Sequence, residues 1–541
     1  MENKKQKIHF IGIGGIGVSA LARYFLARGD TVSGSDAAES EIVENLRGLG
    51  VKIYTPANHL TILGDNSPQL PLNLRGREDS KSPTASLLQS GEKIDLVIYS
   101  AAVREDNPEL MEAWRLGIKT QKYAEALGDL TKKMYTIAVS GMHGKSTTTA
   151  MIGLIMEKAG LNPTVIVGTK VEWNNVSALN NGIAASSTPP RNDTMSYGNF
   201  RFGKSKYLVI EADEYDRSFL NYWPKVLVML NIEEEHLDTY IGGLPDIMKT
   251  FREYVGHLSG EGVLVANEED KNVAVLLNPK SEFLISKQIQ NSKFKIQKYN
   301  SELGSRGLKL KIPGQHNLSN ANAALAVARV LGIDEKIAIG ALNDFSGTWR
   351  RMEYKGELNG AKVYDDYAHH PTEIKATLAG ARELLKKSHC EAVGRRKVAW
   401  RPRRFTRSNP ADGSEITGSP RPCGARDDQG RLWCVFQPHQ YQRTYKLFEQ
   451  FTESFADADK AIILPIYSVA GREKESIKKK VSSERLVKAL RQAQGKQKEI
   501  LYMDDFDKVA EYLRENLDAG DICVIMGAGD IYKLTNQLLI K

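Results

Sequence analysis

The stretch Tyr135–Gly160, YTIAVSGMHGKSTTTAMIGLIMEKAG, sets out the order strand, glycine loop, helix. A β-branched and apolar run, Thr136 to Val139, leads into Ser140-Gly141-Met142-His143-Gly144-Lys145-Ser146-Thr147, and an amphipathic stretch then runs to Gly160. Backbone N–H groups gathered at a helix N-terminus favour anions. Lys145 is placed to reach terminal phosphates, and Ser146 or Thr147 offers a hydroxyl to Mg2+. The longer pattern G-x-x-x-x-G-K-[ST] is not met, because its first glycine would fall on Val139. What stands here is a shorter loop, G-x-x-G-K-[ST]. A glycine-rich turn with a surface lysine is the plain alternative; the strand before and the helix after favour a nucleoside triphosphate site.

Around this stretch lie 541 residues, too many for one core; a prior of about 150 residues per domain suggests three or four units. The composition, 41% apolar and 26% charged, is that of a soluble globular chain, and no apolar run approaches the roughly 18 residues of a membrane span. The N-terminus, MENKKQKIHFIGIGG, passes directly into a strand, which argues against a signal peptide. Cys390, Cys423, Cys434 and Cys523 lack metal-ligand spacing and fit a reducing, cytoplasmic compartment. The net charge of +8 gathers largely in one segment, so it argues little for nucleic acid as a global partner.

In residues 1–133, Ile8-His9-Phe10-Ile11 precedes Gly12-Ile13-Gly14-Gly15-Ile16-Gly17 and a helical run, and the next strand ends at Asp36. This is G-x-G-x-x-G in a βαβ setting with an acid about 20 positions on, and it predicts a Rossmann-like fold. An NAD-dependent oxidoreductase is one reading. The loop guarantees only room for a diphosphate, and UDP-sugars carry one too. Residues 62–91 lack periodicity and are expected to be a surface insertion.

In residues 134–345 a second polar stretch, 171–206, is expected to be a long loop or insertion. The strand YLVIE then ends in carboxylates, where an enzyme with a phosphate loop keeps its metal ligand, and Glu211 is the expected one. His236 lies just past another strand in an acidic loop, open to a metal or phosphate role. Asn317 and Asn320 open an alanine-rich helix, as caps or as readers of a purine edge. Residues 346–541 alternate strands and helices again, which predicts a third, mostly parallel sheet with ligands at the carboxyl ends of its strands. Asp365, Asp366, His369, His370, His439, Arg443 and Gly527–Asp530 fall at those ends, and Arg350 and Arg351 sit at the junction before them. Residues 391–430, with GRRKVAWRPRRFTR, break the pattern. Trp400 and Phe405 among arginines could bind RNA. A disordered insertion explains the segment better, since nothing else in the chain resembles a nucleic-acid module.

In this order the motifs GMHGKSTTT, EADEYDRSFL, NIEEEHLDTY, PGQHNLSNANAA, FSGTWRRME, DDYAHHPTE and FQPHQYQRT resemble those of the Mur ligases, ATP-dependent amide-forming enzymes of peptidoglycan precursor synthesis. The opening HFIGIGGIGVSALA resembles the branch that joins L-alanine to the lactyl carboxylate of UDP-N-acetylmuramate. A sister ligase adding another amino acid or a tripeptide is the alternative. The resemblance implies three α/β domains: a Rossmann-like N-terminal domain (1–133) for the UDP-sugar, a central P-loop ATPase domain (134–345), and a C-terminal Rossmann-like domain (346–541) that brings the amino acid and closes the site. It implies ATP contacts from Gly141, Met142, His143, Gly144, Lys145, Ser146 and Thr147, with Asn317 and Asn320 at the adenine, Asp366 at the ribose and Arg351 near the γ-phosphate. Ser146, Glu211 and His236 would hold Mg2+, and Lys145, Glu211, His236 and Arg351 would carry the chemistry. Gly12, Gly14, Gly15, Gly17 and Asp36 would take the UDP-sugar, and His370 and Arg443 the amino acid. Gln440 stands where relatives commonly carry arginine. The expected partners are small molecules, without nucleic acid or membrane, and the expected state is a monomer or weak homodimer.

Overall fold

The computed structural model describes residues 5–55, 93–173, 198–236, 239–278, 294–304, 307–398, 430–468, 475–495 and 498–539. The expected insertion at 62–91 therefore lies outside the described residues, as do 174–197 within the second polar stretch and 399–429 within the third. The helix Pro371–Val398 runs past Glu391, so the break in the pattern falls later than the composition suggested.

Three sheets carry the chain. The first is five-stranded, in the order β3-β2-β1-β4-β5: β1 (Lys7–Ile11), β2 (Thr31–Ser35), β3 (Lys52–Tyr54), β4 (Leu96–Tyr99) and β5 (Thr120–Lys122). All its pairings are parallel. The second is seven-stranded, in the order β12-β11-β10-β6-β9-β7-β8: β6 (Tyr135–Ser140), β7 (Thr164–Ile166), β8 (Phe200–Arg201), β9 (Tyr207–Glu211), β10 (Val226–Met229), β11 (Val263–Asn267) and β12 (Lys295–Tyr299). Only its edge pair β7–β8 is antiparallel. The third is six-stranded, in the order β13-β14-β18-β15-β16-β17: β13 (Glu353–Leu358), β14 (Ala361–Asp366), β15 (Leu432–Phe436), β16 (Lys460–Ile463), β17 (Glu499–Tyr502) and β18 (Ile522–Met526). Here β13 is the antiparallel edge.

The sequence builds these sheets for a plain reason. Parallel strands are covered on both faces, so they read as unbroken apolar runs. VLVM in β10 and ICVIM in β18 are buried at every position. Each such Val, Leu or Ile contributes roughly 1.5–3 kcal/mol on leaving water. In β15 and β18 the thiols of Cys434 and Cys523 are part of that packing, fully buried and not in a disulfide. The helix Ile16–Arg28 ends on Gly29, where the backbone turns left-handed (φ 93°).

The chain divides into two compact units, Met1–Leu310 with Leu318–Thr348, and Lys311–Asn317 with Trp349–Lys541. The first holds the first two sheets, which touch directly. Asn199 donates its amide to Ser19 Oγ (3.0 Å), Lys170 pairs with Glu41 (2.7 Å), and the α-carbon of Gly128 lies against the Asn221 carbonyl. The second holds the third sheet.

Candidate active site

At the carboxyl end of β6 the chain turns through Gly141 (φ 138°) and Gly144 (φ 84°) into the helix Lys145–Lys158. A side chain at 141 would meet Leu230 Cβ at 2.9 Å, so the turn needs glycine both for its dihedral and for space. Asn231, just past β10, clamps the loop: its Oδ1 accepts from His143 N (2.8 Å) and its Nδ2 donates to His143 O (3.0 Å). Asn320 Oδ1 packs on Gly144 from the other side. Thr147 is buried in the first turn of the helix.

Lys145 Nζ sits inside this loop. It donates to Gly141 O (2.7 Å), to Met142 O (3.3 Å), and to both oxygens of Glu214 (3.0 and 2.8 Å). Glu214 is fully buried and also receives His236 Nε2 at 3.1 Å, and its own carbonyl accepts the Tyr240 hydroxyl at 2.6 Å. Burial opposes the charge on Lys145, but Glu214, Asp213 and Glu235 outweigh it and raise the ammonium's pKa. Burial likewise pushes Glu214 up, and Lys145 and His236 reverse that, holding it below its ordinary value. For His236 burial favours the neutral ring, and the Glu214 hydrogen bond and the Glu235 charge win, so its pKa rises. His236 has a left-handed backbone (φ 51°), a cost for a non-glycine residue that is met at functional sites.

Glu211 ends β9 beside this group. Its Oε1 accepts from Gly168 N at 2.7 Å, and Ser146 donates to it from the start of the helix. Burial raises its pKa against those bonds and the Lys145 charge. A hydroxyl and a carboxylate are the hard oxygen donors that Mg2+ takes. The family resemblance implied Ser146, Glu211 and His236 together as ligands. In the structure Ser146 and Glu211 form one pair, whereas His236 stands with Asp213 and Glu214, their ligand atoms all within 4.8 Å.

In the first sheet, Gly12 and Ile13 donate their N–H groups to Ser35 O at 2.8 and 3.0 Å. Gly14 N donates to Asp36 Oδ2 at 2.8 Å, so the acid at the end of β2 closes the glycine loop itself. Gly15 caps the helix Ile16–Arg28, which has no acidic residue in its first turn.

The second unit gathers its own cluster at the ends of β14, β15 and β18. Arg350 is 2% exposed; it reaches Asp365 at 3.0 Å and the carbonyls of Gly527 and Gly529 at 2.5 and 3.3 Å. Asp366 accepts from Met352 N (2.7 Å), Ala368 N (2.8 Å) and Thr377 Oγ1 (3.2 Å), so three protein donors already hold it. Arg351 bonds Glu373 at 3.3 Å and lies over the Tyr367 ring. Glu373 also receives the N–H groups of His369 and His370. His369 stands edge-on to His439, whose Nδ1 lies 3.3 Å from Arg443. Arg351, His370 and Arg443 thus fall in one neighbourhood. Asn317, at the segment Lys311–Asn317 that groups with this unit, donates to Pro313 O at 2.6 Å.

Sequence reasoning missed the parts played by Glu214, Asn231, Gly168 and Glu373. Glu214 had a signal, being the last acid of the run after β9, but the first acid drew the attention. Gly168 had none, since its role is a backbone N–H.

Three family models cover most of the chain: the Mur ligase family, catalytic domain, over 7–135; the Mur ligase middle domain over 139–328; and the Mur ligase, glutamate ligase domain over 350–396 and 423–529. Among curated relatives, the UDP-N-acetylmuramate–L-alanine ligase of Acetivibrio thermocellus is 34% identical, covering 99% of this chain and 96% of that one. That of Clostridium tetani is 35% identical, with 99% and 98% covered. Among solved structures, a UDP-N-acetylmuramate-alanine ligase from Thermotoga maritima aligns at a TM-score of 0.64 and 23% identity, covering 98% of each chain. A murein peptide ligase from Psychrobacter arcticus aligns at 0.60 and 22%, covering 99% of this chain and 98% of that one. These two likenesses speak for the fold.

Proposed function

Because this chain belongs to the Mur ligase family, we propose that it joins L-alanine to the lactyl carboxylate of UDP-N-acetylmuramate at the expense of ATP, in peptidoglycan precursor synthesis. Full-length identity to curated ligases of that name supports the choice of substrates. The observation that carries the chemistry is Lys145, held as an ammonium inside the Gly141–Gly144 loop with the Ser146–Glu211 pair beside it.

The division of labour is 1–133 for the sugar nucleotide, 134–345 for ATP and 346–541 for the amino acid. The N–H groups of Gly141 to Lys145 and the Lys145 ammonium take the β- and γ-phosphates. An incoming γ-phosphate offers Lys145 a second anion in competition with Glu214. Ser146 and Glu211 would hold Mg2+, with His236 nearby, and the ion would offset charge on the phosphoryl oxygens. The lactyl carboxylate attacks the γ-phosphorus in line, and ADP leaves. The acyl phosphate so formed is a good electrophile. L-alanine's neutral amine attacks its carbonyl, and the tetrahedral intermediate expels phosphate. Asn317 and Asn320 are assigned to the adenine end of ATP, Asp366 to its ribose, Arg351 to the γ-phosphate, and His370 and Arg443 to the amino acid. Gly12, Gly14, Gly15, Gly17 and Asp36 are assigned to the UDP-sugar loop.

Among the described residues no helix is long and apolar enough to cross a membrane. All three substrates are small and water-soluble, and the cytoplasm is the proposed compartment.

Incubation with ATP, Mg2+, UDP-N-acetylmuramate and each amino acid in turn, with phosphate release and product mass as readouts, tests this. Turnover with a tripeptide and none with L-alanine would move the assignment to a sister ligase. Hydride chemistry with NAD, the other reading of Gly12–Gly17, leaves Lys145 and Glu211 without a task and finds no support in the family.

A further inference from the structure

Tyr123 opens the helix Tyr123–Lys133, which carries the chain from the first sheet to the second. Its phenol lies on the glycine loop of the first sheet. A Cβ added to Gly17 would sit 2.9 Å from Tyr123 Oη and 3.0 Å from Cζ, so ring and loop meet only because residue 17 has no side chain. Gly17 is in the first turn of the helix Ile16–Arg28, whose N-terminus carries neither an acidic residue nor a side-chain cap. That end is short of hydrogen-bond acceptors and favours an anion. Burial, then Glu211, then Asp213 raise the phenol's pKa, which keeps it a neutral donor. The hydroxyl therefore stands on the first glycine loop, in the same unit as Lys145 and Glu211.

We propose that Tyr123 is a substrate contact: its hydroxyl donates a hydrogen bond to the diphosphate held at Gly12–Gly17. This rests on the sugar-nucleotide reading given above. No other group named for that loop offers a side-chain donor. Asp36 is an acceptor and is already bonded to Gly14, and the remaining members are glycines.

Steady-state kinetics and calorimetry on Tyr123→Phe test it, since the change removes one oxygen and keeps the ring. The expected result is a rise of about tenfold in both KM and Kd for UDP-N-acetylmuramate, with kcat, the KM for ATP and L-alanine, and Tm unchanged. An interaction made equally in ground and transition states shows itself in KM alone. Gly17→Ala, which displaces the phenol, is expected to raise the same KM. Unchanged KM and Kd in Tyr123→Phe would overturn the proposal. So would a parallel rise in all three KM values with a lowered Tm, which would make Tyr123 a packing residue between the sheets. Wild-type protein that neither binds UDP-N-acetylmuramate nor turns it over overturns the functional reading itself, a result separable from the first two because it appears before any substitution.

Discussion

Lys145 shows how one side chain is shaped by its neighbours before any substrate arrives. Its ammonium is largely removed from water, and it persists because Glu214 and two loop carbonyls surround it. Lys145→Ala is expected to lower kcat/KM by on the order of 3 kcal/mol or more, read from phosphate release with saturating UDP-N-acetylmuramate. It would also take the ammonium partner from the buried Glu214 carboxylate and leave it the His236 bond, so a loss of stability of about 3 kcal/mol should appear in thermal melts. Unchanged turnover would remove the phosphoryl-transfer role. Asp365 offers a pH test in the second unit. Burial pushes its carboxyl up to about 6 despite the Arg350 guanidinium at 3.0 Å. The folded chain then binds this proton more tightly than the unfolded one. The group's contribution is fully present below about pH 4 and is lost as pH rises through about 6. Asp365→Asn is expected to flatten the dependence of Tm on pH across that window, while lowering Tm overall by removing the carboxylate that pairs with Arg350. A variant as pH-sensitive as the wild type between 4 and 6 would refute the assignment.

At the scale of the element, the phosphate loop is a short peptide pinned from two sides, by Asn231 through His143 and by Asn320 against Gly144. Gly144→Ala is expected to raise the KM for ATP by tenfold or more. The substitution places a Cβ on a left-handed residue (φ 84°) and into Asn320, and the N–H groups that meet phosphate lose their aim. Melting temperature and the KM for L-alanine serve as controls. The glycines and the lysine were legible because strand, loop and helix are local and each has its own chemical signature. The clamp was not. Asn231 follows β10, the fourth strand after β6 in the sequence, which the sheet places beside β6, and only that pairing gives its amide a target. Asp36 teaches the same lesson. Its position after β2 was readable, whereas its bond to Gly14 N depends on how the loop folds back.

For the whole molecule, three alternating α/β parts were readable from apolar runs and glycine turns, and the sheets are mostly parallel as those runs implied. That the first two sheets share one compact unit was not readable, since it rests on contacts such as Asn199 with Ser19 and Lys170 with Glu41 that leave no periodic trace. The thiols of Cys434 and Cys523 lie on neighbouring strands, with burial pushing the second up to about 12 and the first in the same direction. Alkylating reagents need thiolate and access, and the native sheet denies both. These two sulfurs are therefore a built-in clock. In a peptide map the rate at which they take up label would count how often the third sheet comes apart, and slower labelling with substrates present would measure how firmly they seal it.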